Sequence, residues 1–323
     1  MKNDLMRKIL RSTAFLLLLA LLLQGTALLL QPRDNTEDAG MELQRLHGFL
    51  GEPDDTIDVI FLGDSEAYSG YSPLEMWDTC GFTSYICAIS GCSLDDGYAF
   101  LLEATAHQHP KLVVMEALPA FRKMSANDSL FTEGTLFFPV FSVHNSWKSM
   151  TPQRLLSPVV YTYRQPNRGY KPDHTIFAQE IKNYMKPSDK TAEIALFNRI
   201  YLDRIVRYCK GHDIPVLILS CPSPKNWNYA RHEAMQAYAD SVDVSFLDLN
   251  LALTEIGLDG QTDFRDEKGD HLNHYGAVKT SAYLAPILAQ SYDLPDHRDD
   301  PAYDSWNDAF ELYRQKHPTT PAS

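Results

Sequence analysis

The chain has 323 residues, 44% hydrophobic and 11% aromatic, which is enough apolar material for a sizeable core and argues against global disorder. Its formal net charge of -13 speaks against a nucleic-acid partner, which would need a basic face. The cysteines (Cys80, Cys87, Cys92, Cys209 and Cys221) are too few and scattered for a disulfide framework, show no CxxC or zinc spacing, and read as small buried hydrophobes.

In chain order, a basic N-terminus (1–12, with Lys2, Arg7, Lys8 and Arg11) precedes the uncharged run Thr13–Leu30. As a helix that run spans roughly 27 Å, close to the thickness of a bilayer core. Basic residues before it and Asp34, Glu37 and Asp38 after it orient the remainder outward. A retained signal anchor is preferred to a cleaved signal peptide, because the apolar run is long and no small-x-small cleavage site stands out. The expectation is a single-pass protein of the cytoplasmic membrane with an extracytoplasmic domain. Residues 31–54 read as a juxtamembrane linker, and Met41, Leu43, Leu46 and Leu50 suggest a short amphipathic helix there.

From residue 55 to 295, apolar runs alternate with helical patterns. Ile57–Gly63, Ser84–Ile89, Lys111–Glu116, Ile214–Ser220 and Val244–Leu249 read as strands. Leu94–His107, Ala192–Lys210, Tyr229–Ser241 and His274–Ser291 read as helices. The alternation predicts an α/β domain, a three-layer doubly wound parallel sheet with right-handed crossovers. Residues 121–190, rich in Phe, Tyr and Pro, break the rhythm and read as an insertion, either a lid or a packing excursion. The tail, 296–323, contains a candidate surface helix at Ala302–Arg314 and a polar end expected to fray.

Ligands of open α/β sheets sit beyond the carboxyl ends of the strands. Gly63-Asp64-Ser65, the loop around Gly91, "MEALPA" after the third strand and "GDHLNHYGA" (269–277) converge there. A serine needs a base to act as a nucleophile, and His271 is the candidate base for Ser65. A carboxylate should hold its other ring nitrogen. Asp270 is its neighbour, but adjacent side chains diverge; Asp266 stands five residues earlier, and "EKG" could turn the chain back. Asp266 is slightly favoured and both remain candidates. The Ser65 and Gly91 N–H groups are candidate oxyanion donors. Asp64 is read mainly as a turn residue. Together with Lys225, Asn226 and Trp227 of "CPSPKNW" it is also a candidate substrate contact. His274 is expected on its helix surface, and Asp259, Asp263 and Asp266 as a solvated loop rather than a metal site; no metal and no cofactor is expected.

"FLGDSE" with "DHLNHYGA" resembles the SGNH/GDSL hydrolase superfamily, with Ser65, Gly91 and His271 matching its serine, second-block glycine and final histidine. The anchor and outward domain resemble its bacterial envelope branch, which includes the D-alanine transfer protein and polysaccharide O-acetyltransferases. The resemblance implies a flavodoxin-like fold and metal-free ester hydrolysis or transfer through an acyl-serine. The chain departs from the family pattern in having no Asn after the third strand, Lys268 three residues before the histidine, and Glu66 after the serine. The expected function is a serine esterase or O-acyltransferase acting on an acylated envelope glycan or polymer. The alternative is a non-catalytic binding module of the same fold for a glycan, an acyl carrier or a membrane acyltransferase, the last docked by the aromatic segment.

Overall fold

In the computed structural model, which describes residues 2–320, five short apolar runs form one sheet: Val59–Gly63 (β1), Ser84–Ala88 (β2), Leu112–Glu116 (β3), Val216–Ser220 (β4) and Ser245–Asp248 (β5). All pairings are parallel and the order is β2-β1-β3-β4-β5. β1 to β4 are buried at every residue, as strands covered on both faces must be, while β5 at the edge exposes Ser245. Gly63 pairs with Ala88, Leu62 with Met115 and Leu219 with Glu116. The carboxyl ends of β1 to β4 therefore finish at nearly one level. The order reverses at β1, between the β1→β2 and β2→β3 crossovers, which is the switch point where such sheets open a crevice.

One face carries Ser65–Gly70, Pro73–Cys80, His274–Ser291 and Asp304–Lys316; the other carries Leu94–Thr105, Leu196–Gly211 and Tyr229–Ser241. The first two helices have clear local causes. Asp64 caps one by accepting from Glu66 N, and the other has Ser72 as cap, Pro73 in its first turn and Gly81 at φ +76° closing it. The Tyr229 and His274 helices have the bounds expected from sequence, each capped by an asparagine, Asn228 and Asn273. The C-terminal helix is not a surface element. Trp306, Phe310 and Tyr313 are buried, and Trp306 packs 5.3 Å from Trp77. Of the tail expected to fray, residues 321–323 lie outside the described residues.

The chain divides into two compact units. One holds the described residues up to 44 together with 126–163; the other holds 45–125 and 164–320 with the sheet. In the first, Lys2–Leu30 is a single helix and, among the described residues, the one helix long and apolar enough to cross a membrane. Short helices (Ala126–Phe137, Val140–Val143 and Pro152–Leu156) complete it. The stretch 121–190 is thus shared between the units and does not form a body of its own. The amphipathic helix expected over 41–50 is reduced to Gln44–His47 and a 3₁₀ turn at Gly48–Gly51, because Leu43 adopts φ +52° and is exposed, while Leu46 and Leu50 are buried.

Candidate active site

Ser65 is the first residue of the helix that follows β1 and is almost buried. Gly63, two residues before it, has no room for a side chain: a Cβ there would stand 2.7 Å from Glu116 Cβ and 2.8 Å from Ala67 Cβ. The glycine lets β3 and the Ser65 helix close on the end of β1.

His271 reaches the serine from a second tight feature. Phe264 and Leu272 form an antiparallel bridge, Arg265 N donates to His271 O at 3.2 Å, and Lys268 (φ +66°) and Gly269 (φ +69°) turn the chain between them. Gly269 also packs on Pro224, where a Cβ would meet Pro224 Cγ at 2.9 Å. This small hairpin brings Asp266 beside His271 although five residues separate them. Asp266 Oδ2 lies 2.6 Å from His271 Nδ1, and His271 Nε2 lies 2.8 Å from Ser65 Oγ. In the tautomer this arrangement favours, Nδ1–H donates to Asp266 and Nε2 accepts from the serine hydroxyl. Asp270 is turned the other way. Its Oδ1 is 3.8 Å from Nδ1, its Oδ2 takes Lys225 Nζ at 2.5 Å, and Asn226 Nδ2 donates to its Oδ1. Burial would raise the Asp270 carboxyl, but the hydrogen bonds from Lys225 and Asn226 outweigh it and hold the group below the usual range.

Glu66 stands at the centre of a network beneath the serine. Its Oε1 lies 2.8 Å from Ser223 Oγ and accepts from Asn226 Nδ2 at 3.0 Å; Ser223 Oγ is also 2.8 Å from Asp270 O. Glu66 thereby ties the serine helix to the loop after β4 and to the histidine hairpin. Asp64 is fully buried and accepts from Glu66 N at 3.0 Å and from Arg122 Nε at 2.7 Å. Glu116, at the end of β3, lies 3.0 Å from Tyr71 Oη and accepts from Cys221 N at 3.2 Å. Burial, with the nearby Asp64 carboxylate as the next cause, pushes Glu116 up to about 8 and Glu66 well above the carboxylate range. Three buried acids thus share one guanidinium, Arg122, and Glu66 and Glu116 are neutral at pH 7.

The remaining candidates fall as follows. Gly91 adopts φ +69° in the exposed loop after β2, with open space where a side chain would be. Trp227 is buried, its indole N–H donating to Asp248 Oδ2 at 2.8 Å, and Asp64 is committed to Arg122 and its helix cap. Lys225 and Asn226 line the site through Asp270 and Glu66. Two expectations are corrected. His274 is fully buried, not on the helix surface: its Nδ1 lies 3.1 Å from Tyr170 Oη, and burial, helped by His174 and His317, lowers it to about 4. Asp263 is not part of a solvated loop; it is buried and pairs with Lys279 at 2.6 Å. Residues 173–184 brace this loop from outside, with Asp173 O accepting from His274 N at 2.7 Å and Gln179 Nε2 donating to Asp266 O at 3.0 Å.

Glu66, Asp270 and His271 place ligand-type atoms within 4.8 Å of one another, the one such grouping among the described residues. Glu66 Oε1, both Asp270 oxygens and both ring nitrogens already have protein partners, so the arrangement reads as a hydrogen-bonded network rather than a cation cage. Sequence reading passed over Arg122 and Ser223. The signal for Arg122 was available, since it is the first charged side chain after the acid that ends β3.

No family model and no curated protein matches the chain. Among solved structures it is similar to a lipase/acylhydrolase from Enterococcus faecalis (12% identity over 73% of this chain and 96% of that one, TM-score 0.40). It is also similar to a psychrotrophic esterase from a Pseudoalteromonas species (12% identity, 73% and 100% covered, TM-score 0.37). A third similar structure is the acetylxylan esterase of Geobacillus stearothermophilus (12% identity, 76% and 96% covered, TM-score 0.37).

Proposed function

We propose that this protein is a membrane-anchored serine esterase or O-acyltransferase of the SGNH type, acting on an acylated glycan or polymer of the cell envelope. The observation that carries the proposal is the hydrogen-bonded line Asp266–His271–Ser65 at the carboxyl edge of a parallel sheet. In this reading Ser65 Oγ attacks the acyl carbonyl and His271 Nε2 takes the hydroxyl proton. The Ser65 and Gly91 N–H groups face the developing oxyanion. The tetrahedral species expels the alcohol, which receives the proton back from His271, leaving an acyl-serine. Water or a second hydroxyl, deprotonated by His271, then attacks that ester and regenerates Ser65. Asp266 holds the imidazole in the accepting tautomer and stabilises the imidazolium. The neutral acids Glu66 and Glu116 keep negative charge from accumulating beneath the oxyanion.

The test is labelling of the full chain with a serine-directed fluorophosphonate, followed by intact mass. A single adduct that is lost in Ser65→Ala and His271→Ala supports the reading. A wild-type protein that takes no label overturns it and turns attention to a binding module of the same fold.

A further inference from the structure

The apolar surface of the first unit does not end with its long helix. Leu130, Phe131, Phe137 and Phe141 are exposed, and Trp147 and Leu156 follow. Isolated apolar side chains on a surface need no explanation, but a contiguous set of this size marks an interaction face.

Hydrogen bonds within the unit fix the level of this set along the helix. Gln24, the one strongly polar side chain of the apolar run, donates through Nε2 to Phe137 O at 2.7 Å. Val140–Val143 packs against the same helix, where Ala27 is buried. Gln24 precedes Leu30 by six residues, so this contact lies about 9 Å inside the end of the apolar run at the helical rise per residue. Farther along, Val160 N donates to Arg33 O at 2.8 Å, Thr162 N to Asp34 Oδ1 at 2.7 Å and Asn145 Nδ2 to Glu42 Oε1 at 3.2 Å. Residues 145–162 are therefore held level with the polar chain that leaves the helix. Phe137 and Phe141 stand at the level of the helix's leucines, and Trp147 at the level where the chain turns polar. The order, phenylalanine deep and tryptophan at the boundary, follows the polarity gradient of a lipid leaflet. Asp128 sits in the first turn of Ala126–Phe137, at the opposite end from Phe137.

We propose that residues 126–160 are a second membrane-contacting element. They lie in the leaflet at the C-terminal end of the long helix, with Phe137 and Phe141 among acyl chains and Trp147 near the headgroups. The occupant of the exposed face is bilayer lipid. Continuity with the exposed leucines of Lys2–Leu30 favours lipid over a protein partner, because one solvent then covers both surfaces. The inference rests on reading that helix as a membrane span.

Tryptophan fluorescence tests it. Trp147 is 61% exposed, whereas Trp77, Trp227 and Trp306 are buried, so quenching from lipid reports on Trp147. The full chain is reconstituted in phosphatidylcholine–phosphatidylglycerol vesicles with brominated acyl chains. The expected result is quenching of the wild type that Trp147→Phe removes. Quenching that survives in Trp147→Phe overturns the proposal. So does a wild type that floats with the vesicles yet stays unquenched; that outcome keeps the anchor and leaves a membrane protein as the occupant. A chain that does not float overturns the membrane span and the proposal together.

Discussion

Asp266, not the sequence neighbour Asp270, is the carboxylate on His271: its Oδ2 lies 2.6 Å from Nδ1, against 3.8 Å for Asp270 Oδ1. Adjacent side chains on an extended segment point to opposite sides, and Lys225 and Asn226 hold Asp270 on its own side. The left-handed pair Lys268–Gly269 closes the hairpin that brings Asp266 round.

The two acids should therefore separate in kinetics. Asp266→Asn is expected to lower kcat on an activated aryl ester by about 10³-fold or more, because the amide favours the wrong tautomer. Asp270→Asn removes a partly exposed pair with Lys225 and should cost at most about 1 kcal/mol in stability, with kcat within about tenfold. Equal losses in the two variants would show that neither acid alone orients the ring.

Arg122 is the cation that keeps Asp64 charged inside the protein. Removing it leaves a buried carboxylate without its partner, so Arg122→Ala should destabilise the fold by about 3 kcal/mol. Asp64→Asn keeps an acceptor for Glu66 N and should cost less. Urea unfolding of the two variants and their double mutant measures the coupling; additive losses would contradict it.

The Glu116 carboxyl gives stability a definite pH slope. Its pKa rises from 4.5 to about 8 on folding because it is buried. Between those values the unfolded chain has released a proton that the folded protein keeps. Stability contributed by this group therefore falls as pH rises through the window, by up to about 1.4 kcal/mol per pH unit. Glu116→Gln, which mimics the protonated acid and still accepts from Cys221 N, should flatten that slope in denaturation curves between pH 5 and about pH 8. An unchanged slope would assign it to another group.

His274 works in the opposite direction. Its pKa falls from 6.5 to about 4 on folding, so between those values the unfolded chain binds a proton that the folded protein refuses. Its contribution is fully present above 6.5 and is lost as pH falls toward 4. His274→Asn, which retains a partner for Tyr170, should lower stability at neutral pH by about 1–2 kcal/mol and lose less on acidification than the wild type.

Gly63 is fixed by its neighbours rather than by its backbone angles. Gly63→Ala forces Glu116 or the Ser65 helix to move and should cost about 1–3 kcal/mol. Esterase activity should fall with it, since the displaced helix carries the serine. Gly91→Ala meets open space and carries only the strain of a positive φ, about 1 kcal/mol. Thermal unfolding of the pair ranks the two causes.

The sequence by itself determined the strands, the alternation that makes the sheet parallel, the apolar N-terminal helix, and the identity of Ser65 and His271 as residues at one sheet edge. These follow from local periodicity, caps and chain order, which a single chain carries openly. Only the tertiary structure decided which aspartate stands on the histidine, because that depends on a hairpin turn and on Lys225 pulling Asp270 aside. Nor could spacing show that His274 and Asp263 are buried, or that Glu66 is a neutral link between three loops. A side chain's burial and protonation are set by what packs against it from distant parts of the chain, and those partners are brought together only when the sheet and its loops close.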